Sequence, residues 1–273
     1  MPESQLTKWQ LARDGDVITT PRGQLYPVRL PDGGAAMLKV STDAEERNGH
    51  LLLRWWDGDG AARVLAHDGP ALLMERAVPG DSLRAMSIQG GDAQATAILC
   101  GVLARLHRPR GTPPEGLLDL NRWFSDLLAP PIRLSPLLEQ CRSLAAAALD
   151  AQIEARPLHG DLHHDNVLDF GTRGWLAIDP KRLLGDRAFD YTVLFTNPDL
   201  CGPDIHVATG EAVFEHRLQQ VCALAGLDRP RLLRWIAASA GLSAVWFLAD
   251  GDAAAVDLAV AAMAVKRLAE AGG

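Results

Sequence analysis

The sequence predicts an α+β fold with two lobes, a small N-terminal lobe built on an antiparallel sheet with one helix and a larger, mainly helical C-terminal lobe. Two observations lead to this prediction. Over the first 77 residues, short apolar segments alternate with turns that contain Gly, Pro and Asp, a pattern typical of hairpins. Beyond Pro79-Gly80 the chain becomes rich in Ala and Leu at helical spacing, and strand patterns nearly vanish.

The N-terminal lobe should contain two hairpins with a helix between them. The first hairpin turns at Pro31-Asp32-Gly33-Gly34 and the second at Asp68-Gly69-Pro70. A helix is predicted from Thr42 to Trp56, because Thr42-Asp43-Ala44-Glu45 has the form of a capping box. The predicted strands are Leu25 to Leu30, Ala35 to Val40, Ala61 to His67 and Ala71 to Arg76.

The C-terminal lobe should begin at a linker, Val78-Pro79-Gly80-Asp81, which divides the chain into residues 1–77 and 78–273. Several segments beyond it have helical spacing with start or stop signals. They are Asp92 to Leu106, Leu120 to Leu128, Pro136 to Gln152, Glu211 to Leu224, Pro230 to Ala249 and Ala253 to Ala269. One hairpin pattern interrupts these helices, with strands from Val167 to Phe170 and from Trp175 to Ile178.

Charge and composition argue against several classes of protein. The net charge of -7 disfavours nucleic acid as a partner, because phosphate backbones are bound through clustered Lys and Arg. The four cysteines form no CxxC pair, which predicts reduced thiols and no cysteine-based zinc site. The N-terminus lacks the pattern of a signal peptide, and no stretch suggests a membrane span. We therefore expect a cytoplasmic protein that does not contact a membrane.

The interrupting hairpin places the strongest candidate functional residues near one another. If its loop consists of the four residues Gly171 to Gly174, Asn166 lies opposite Asp179, with Cβ atoms roughly 4.5–5.5 Å apart. Amide and carboxylate oxygens at such a position suit Mg²⁺, which takes its remaining ligands from water and phosphate. Asp161 precedes Asn166 on the loop that leads into the hairpin.

These residue types are the ones that phosphoryl transfer requires. Asp161 would orient an attacking hydroxyl and accept its proton, and Asn166 and Asp179 would bind the metal ion. Lys39, in the apolar strand pattern Met37-Leu38-Lys39-Val40, would contact the phosphates of a nucleotide. The spacing Asp-x-x-x-x-Asn also matches the catalytic loop of kinases.

Longer runs around these residues resemble the aminoglycoside phosphotransferases, and among them most closely the streptomycin 6-phosphotransferases. The runs that carry the resemblance are Ala36 to Val40, Leu72 to Ala77, Leu158 to Leu168, Gly174 to Pro180, Phe195 to Leu200 and Gly241 to Phe247. They extend over most of the chain. The resemblance implies a protein-kinase-like fold, with nucleotide bound by the N-terminal lobe and the catalytic loop and substrate site in the C-terminal lobe.

The resemblance also implies the reaction and the residues that bind nucleotide. We expect transfer of the γ-phosphoryl group of ATP, with Mg²⁺, to the 6-hydroxyl of streptomycin, a small cationic aminoglycoside, which would confer resistance to that antibiotic. No obligate protein partner is evident. Glu46 should pair with Lys39, with Glu45 as the alternative. Glu75 and Ala77, at the end of the last strand before the linker, should bind adenine through backbone groups.

Three alternatives stay open from the sequence. The same residues could serve a kinase of another small hydroxyl metabolite, such as choline, homoserine or a sugar. A kinase-like binding protein without catalytic activity would keep the fold. A metal-dependent hydrolase is the alternative that His159, His163 and His164 support best. Against it, His163 and His164 are adjacent and project in different directions, no HExxH motif is present, and His159 is expected to brace the loop by hydrogen bonds.

Some acidic residues have no settled role. Asp190 could brace the catalytic loop or could be an exposed Asp at a helix start. Asp250 and Asp252, and more remotely Glu215, are candidates for binding a cationic substrate.

Overall fold

The N-terminal lobe is built on an antiparallel sheet. The computed structural model describes residues 2–20, 23–41, 50–202 and 204–271. In this part of the chain the sheet strands are β1 (Ala12–Arg13), β2 (Ile18–Thr20), β3 (Gly23–Arg29), β4 (Ala35–Ser41), β5 (Val64–Asp68) and β6 (Ala71–Glu75). Their order is β1-β3-β4-β6-β5, and β2 also pairs with β3. A short helix, α1 (Pro2–Lys8), precedes them.

The alternation of side chains along β4 separates the core of this lobe from the cleft. Ala36 and Leu38 are buried with Tyr26, Val28 and Leu73 in the core of the sheet lobe. Because successive residues of a strand point to opposite faces, Met37 and Lys39 project to the other side. That side borders the space between the two lobes.

The helix of the N-terminal lobe, α2 (His50–Trp56), ends where the sequence predicted. Residues 42–49 of the predicted helix lie outside the described residues. Leu52, Leu53 and Trp56 are buried in the same core as the helices of the C-terminal lobe. The proposed division of the chain at residue 77 therefore stays a prediction.

The C-terminal lobe is mainly helical, as predicted. Its helices are α3 (Leu83–Met86), α4 (Asp92–Leu106), α5 (Leu120–Trp123), α6 (Ser125–Leu128), α7 (Pro136–Asp150), α8 (Glu211–Ala225), α9 (Arg229–Ala249) and α10 (Ala255–Ala271). A 3₁₀ segment, Arg187–Phe195, packs with α7 and α10 around α9. The segment predicted as one helix from Leu120 to Leu128 consists of α5 and α6, which meet at Phe124.

Five strands complete the C-terminal lobe, of which the sequence predicted only the two of the hairpin. The predicted hairpin is present as β9 (Val167–Asp169) and β10 (Trp175–Ala177). A three-stranded sheet was not predicted: β11 (Leu183–Asp186) pairs antiparallel with β8 (Ala155–Leu158) and parallel with β7 (Leu118–Asp119). These strands are only two to four residues long, too short for an alternating pattern to be visible.

Helix α9 is the central helix of this lobe. Its 21 residues are numerous and apolar enough to cross a membrane, contrary to the expectation that no stretch would be. In the fold, however, 61% of the apolar stretch of this helix is buried inside the protein. Its hydrophobicity is therefore explained by its position in the core.

A close contact between α7 and α9 requires a glycine at Gly241. A Cβ atom at this position would lie 2.5 Å from Cys141 Cβ of α7. We predict that Gly241→Ala lowers the free energy of unfolding by about 1–3 kcal/mol, because the added methyl forces the helices apart. The measurement is urea denaturation.

The matched control for this substitution is Gly101→Ala in α4, where no atom lies within 4 Å of the added Cβ. This variant should be stabilised by roughly 0.5–1 kcal/mol, because alanine favours a helix interior. Equal effects of the two substitutions would contradict the proposed helix contact.

A buried carboxyl group in α10 makes stability depend on pH. Asp257 is fully buried, and burial raises its pKa from 3.8 to about 6, while the neighbouring Ser243 hydroxyl offsets only part of this effect. The folded state therefore binds this proton more tightly than the unfolded state, and the stability present at low pH is lost as pH rises from about 4 to 6.

We predict that Asp257→Asn is more stable than the parent by up to about 3 kcal/mol at pH 7, and that the difference falls towards zero at pH 4. Urea denaturation across this pH range measures it. The exposed Asp250→Asn provides the control. A difference that is independent of pH would contradict the assigned titration.

Candidate active site

The hairpin β9–β10 has a different register from the one predicted. Val167 pairs with Ala177, so Asn166 faces Ile178, whose N–H donates to the Asn166 carbonyl at 2.9 Å. The predicted pairing of Asn166 with Asp179 is wrong by one residue. The reason is the turn: the Phe170 N–H donates to the Gly174 carbonyl, which leaves three residues in a 3₁₀ turn instead of four in the loop.

Asp179 nevertheless comes close to the catalytic loop, because the chain turns sharply after β10. Asp179 itself has a φ of +59°, in the left-handed region, which carries its carboxylate away from the strand direction. The Lys181 N–H then donates to the His159 carbonyl at 2.7 Å. The segment after the hairpin thus lies against the loop that contains Asp161.

Asn166 is oriented by the backbone of Asp161. Its side-chain amide donates to the Asp161 carbonyl at 2.8 Å, which leaves the amide oxygen available to another group. The loop also requires glycine at position 160, which has a φ of +78° and where a Cβ would lie 2.7 Å from Leu183 Cδ1. Asp161, Asn166 and Asp179 are therefore brought to one region by the backbone that surrounds them.

His159 braces this loop as a neutral imidazole. Its Nε2–H donates to the Ile178 carbonyl at 2.7 Å, and its Nδ1 accepts the N–H of Asp161 at 3.2 Å. Complete burial lowers the pKa of His159, since a charged ring would lose its hydration. The side chain therefore connects the catalytic loop to the strand end that precedes Asp179.

Asp190 is buried behind the same loop and accepts three hydrogen bonds. The N–H groups of His159 and Gly160 donate to its carboxylate at 2.9 and 2.6 Å, and the His107 ring contacts it at 2.8 Å. Of the two interpretations of Asp190, the bracing one is the observed arrangement. The sequence did not decide between the two interpretations because Asp190 lies on a 3₁₀ segment, which hydrophobic periodicity does not reveal.

Two lysines lie on either side of the loop. Lys39 is buried and forms an ion pair with Asp179, which connects β4 to the C-terminal lobe. Lys181 Nζ lies 3.5 Å from Asp161 Oδ2. Each candidate carboxylate thus has a cationic neighbour.

These residues line two cavities, with Lys39 and Asp179 in the wall of one and Asp161 and Lys181 in the wall of the other. One, of 410 Å³, lies between the lobes and includes Lys39, Glu75, Ala77, Phe170 and Asp179 in its wall. The other, of 670 Å³, lies in the C-terminal lobe, and Gly160, Asp161 and Lys181 form one end of it.

The structure describes the residues predicted to bind adenine, but it does not describe those predicted to pair with Lys39. Glu75 and Ala77 both line the cavity between the lobes. The Glu75 side chain accepts the Arg63 N–H at 2.6 Å and pairs with Arg173 of the hairpin loop. Glu46 and Glu45 lie outside the described residues, so the pairing of either with Lys39 stays a prediction.

The acidic residues considered for a cationic substrate lie elsewhere. Glu215 is held by Arg229 and Arg267 at 2.8 and 3.1 Å, and the hydrogen bond from Arg229 lowers its pKa to about 2. Among the described residues, Asp250 and Asp252 are not in the wall of the larger cavity, whereas Asp126 is. Asp126 lies on the four-residue helix α6, and no motif distinguishes it from an ordinary surface Asp.

Within the described residues, only one of the three histidines, His163, belongs to a group of side chains that could hold a metal ion. His164 is buried, and burial lowers its pKa to about 3. His163 lies near Asp165 and Cys201, with candidate ligand atoms within 4.8 Å of one another. In this group the Cys201 thiol donates to the Asp165 carboxylate at 3.1 Å, so two of the three side chains pair with each other. Both ring nitrogens of His159 are engaged by Ile178 and Asp161, so the three histidines do not converge on one metal site, which disfavours the hydrolase.

Comparison with known proteins places these features in a family. The sequence pattern of the family described as "Aminoglycoside/hydroxyurea antibiotic resistance kinase" matches residues 8–251. The chain belongs to this family. The predicted likeness to aminoglycoside phosphotransferases is confirmed at the level of the family.

Two curated relatives share the family and nearly the full length of the chain. The streptomycin 3''-kinase of Klebsiella pneumoniae is 50% identical, over 96% of this chain and 100% of the relative. The streptomycin 6-kinase of Streptomyces griseus is 35% identical, over 89% of this chain and 81% of the relative. The chain is thus more similar in sequence to this 3''-kinase than to the 6-kinase, whereas the sequence motifs predicted the greatest similarity to 6-phosphotransferases.

A solved structure shows the same fold at low sequence identity. The amicoumacin kinase hAmiN, solved with AMP-PNP, Ca²⁺ and Ami, has a TM-score of 0.65 and 14% identity, covering 99% of this chain and 93% of that one. The predicted protein-kinase-like fold of this antibiotic resistance kinase is confirmed.

We predict that Asp190→Ala lowers the free energy of unfolding of this kinase by roughly 3–5 kcal/mol, because the substitution leaves buried donors without an acceptor. Urea denaturation measures the loss. Asp150→Ala, at an exposed position at the end of α7, is the control and should change stability by less than about 0.5 kcal/mol. A small effect at Asp190 would show that the loop does not depend on this carboxylate.

Proposed function

We propose that this kinase transfers the γ-phosphoryl group of ATP to a hydroxyl of streptomycin and so inactivates the antibiotic. The observation that carries the proposal is the placement of two carboxylates: Asp179 lines the cavity between the lobes, and Asp161, whose carbonyl accepts the Asn166 amide, lines the cavity in the C-terminal lobe. A nucleotide in the first and an acceptor in the second would place their reacting groups beside the catalytic loop. The relatives named as streptomycin kinases support the choice of acceptor.

The 3''-hydroxyl is the favoured position of transfer. The relative that is 50% identical is named a 3''-kinase, and the one named a 6-kinase is 35% identical. The 6-hydroxyl expected from the sequence therefore becomes the alternative. The two products are isomers, so the position has to be measured directly.

In the proposed reaction, Asp161 accepts a hydrogen bond from the attacking hydroxyl and takes its proton as the bond to phosphorus forms. The Asn166 amide fixes the Asp161 backbone, and His159 and Asp190 hold the loop from behind. Lys39 would contact the phosphates from the side of the sheet. Lys181, beside Asp161, would face the transferred group from the side of the acceptor.

The donor set near the loop suits Mg²⁺. The free amide oxygen of Asn166 and the carboxylate of Asp179 are hard oxygen ligands, and few protein ligands are the rule for Mg²⁺ in phosphoryl-transfer sites. When bound there, Mg²⁺ would neutralise charge on the phosphate oxygens. A hAmiN structure that contains a nucleotide analogue with Ca²⁺ supports a divalent ion in this fold.

The N-terminal lobe, residues 1–77, would hold the nucleotide. The cavity between the lobes has apolar walls formed by Met37, Phe170 and Ile178, which suit a flat base. The Glu75 side chain is engaged by Arg63 and Arg173, so adenine would be recognised by backbone groups from Glu75 to Ala77. The acceptor would be a small cationic molecule, without a protein partner.

Product analysis tests the proposed function. Purified protein is incubated with ATP and Mg²⁺, with streptomycin or with choline, homoserine or kanamycin in its place. We expect ADP release that depends on streptomycin and a product with one added phosphoryl group at the 3''-oxygen, located by phosphorus–proton correlation in NMR spectra. ADP release that requires another acceptor, or that occurs equally without any, would refute the proposal.

We predict that Asp161→Asn lowers kcat by about 10²–10⁴-fold, because the amide cannot accept the hydroxyl proton. Binding of ATP should remain within about twofold, as measured by calorimetry, since Asp161 lies on the acceptor side. Lys39→Ala provides the contrast and should weaken ATP binding. Near-normal turnover of the Asp161 variant would show that another group accepts the proton.

A further inference from the structure

One carboxylate in the wall of the larger cavity has no cationic partner among the residues that the structure describes. Of the acidic residues that line this cavity, Asp161 lies beside Lys181 at 3.5 Å. Asp126 lines it from α6, and the described part of the chain places no cation within ion-pair distance of it. Its negative charge is therefore available to a ligand in the cavity.

The orientation of Asp126 is fixed by an indole. The Nε1–H of Trp246, on α9, donates to Asp126 Oδ2 at 2.8 Å. The second oxygen is not engaged by this bond. Trp123, on α5, packs edge to face against Trp246, with ring centroids 5.3 Å apart and an interplanar angle of 83°. Both rings line the cavity, so the carboxylate stands beside aromatic surface.

These groups have the chemistry that recognises a planar cation. A carboxylate held on one side can accept paired N–H groups, and an indole attracts a cation over its face. A guanidinium ion satisfies both conditions, since it is flat, weakly hydrated and rich in donors, whereas an ammonium ion is a strongly hydrated point charge.

We propose that Asp126, Trp123 and Trp246 form a guanidinium-binding subsite of the acceptor cavity. The assignment rests on the proposed function, since streptomycin carries two guanidino groups on its cyclitol ring, streptidine. This subsite binds that ring while a hydroxyl of the antibiotic lies at Asp161. Asp126 is a specificity-determining residue, and Trp246 positions it.

The kinetic test compares Asp126→Asn with Asp150→Asn, which removes an exposed carboxylate from the end of α7, away from the cavity wall. We expect Asp126→Asn to raise the KM for streptomycin by about 10- to 100-fold, as for the loss of a charge-assisted hydrogen bond. The kcat and the KM for ATP should change by less than about threefold. Trp246→Phe, which removes only the N–H donor and part of the ring, should raise the KM for streptomycin to an intermediate extent.

A second substitution separates charge recognition from a structural role by the direction in which it changes the KM for streptomycin. Arg122, one turn before Asp126, lines the same cavity and would repel a cationic acceptor. Arg122→Gln should therefore lower the KM for streptomycin, or leave it unchanged, while Asp126→Asn raises it. If both substitutions raise the KM alike, the wall serves only to maintain the shape of the cavity and the subsite assignment is wrong.

A binding measurement that does not require catalysis tests the subsite independently of the proposed function. Calorimetry with streptidine and with streptamine, the same cyclitol bearing amino in place of guanidino groups, should show at least tenfold tighter binding of streptidine. Asp126→Asn should remove most of that preference. Absence of streptomycin phosphorylation by the parent chain would refute the proposed function alone, whereas equal binding of the two cyclitols, or phosphorylation with an unchanged KM in Asp126→Asn, would refute the subsite.

Discussion

The carboxylate of Asp190 is the constraint on which the candidate site depends. It is buried, and it accepts the N–H groups of His159 and Gly160 at the start of the loop that carries Asp161. A buried anion is stable only when donors surround it, so the loop backbone and the carboxylate stabilise each other. Gly160 can take the required left-handed conformation because it has no Cβ, and Leu183 leaves no space for a side chain there. The position of Asp161 thus follows from contacts behind the loop.

The lysines distribute charge around this fixed loop. Lys39 reaches Asp179 from the sheet, and Lys181 reaches Asp161 from the segment that follows the hairpin. They belong to different lobes and border different cavities. In the proposed reaction a phosphoryl group passes between two cations, and each would stabilise its charge on a different side. Positioning and electrostatics of this kind provide most of the catalysis in phosphoryl transfer.

Several parts of the structure could be predicted from the sequence because their signals are local. The limits of α4 agree with the predicted ones, since helical periodicity and an acidic first turn mark it. The spacing of Asp161 and Asn166 predicted that they lie on one loop, as observed, whereas their catalytic roles stay a prediction. The register of β9–β10 was not, because a loop of the same composition closes with an odd or an even number of residues depending on one backbone hydrogen bond. Asp126 could not be singled out from the sequence either, because the contact that distinguishes it is a hydrogen bond from the Trp246 indole, 120 positions away.

The bridge from Glu75 to Arg173 joins the end of β6 to the loop of the catalytic hairpin, and the Val78 N–H donates to the Asp169 carbonyl beside it. The linker between the lobes is therefore fastened to the hairpin at two points. Rotation of the lobes about this linker would have to break a partly buried ion pair, or carry the hairpin along with the sheet. Asp179 follows this hairpin directly, so a rotation that carried the hairpin along would also displace the carboxylate proposed to bind the metal ion.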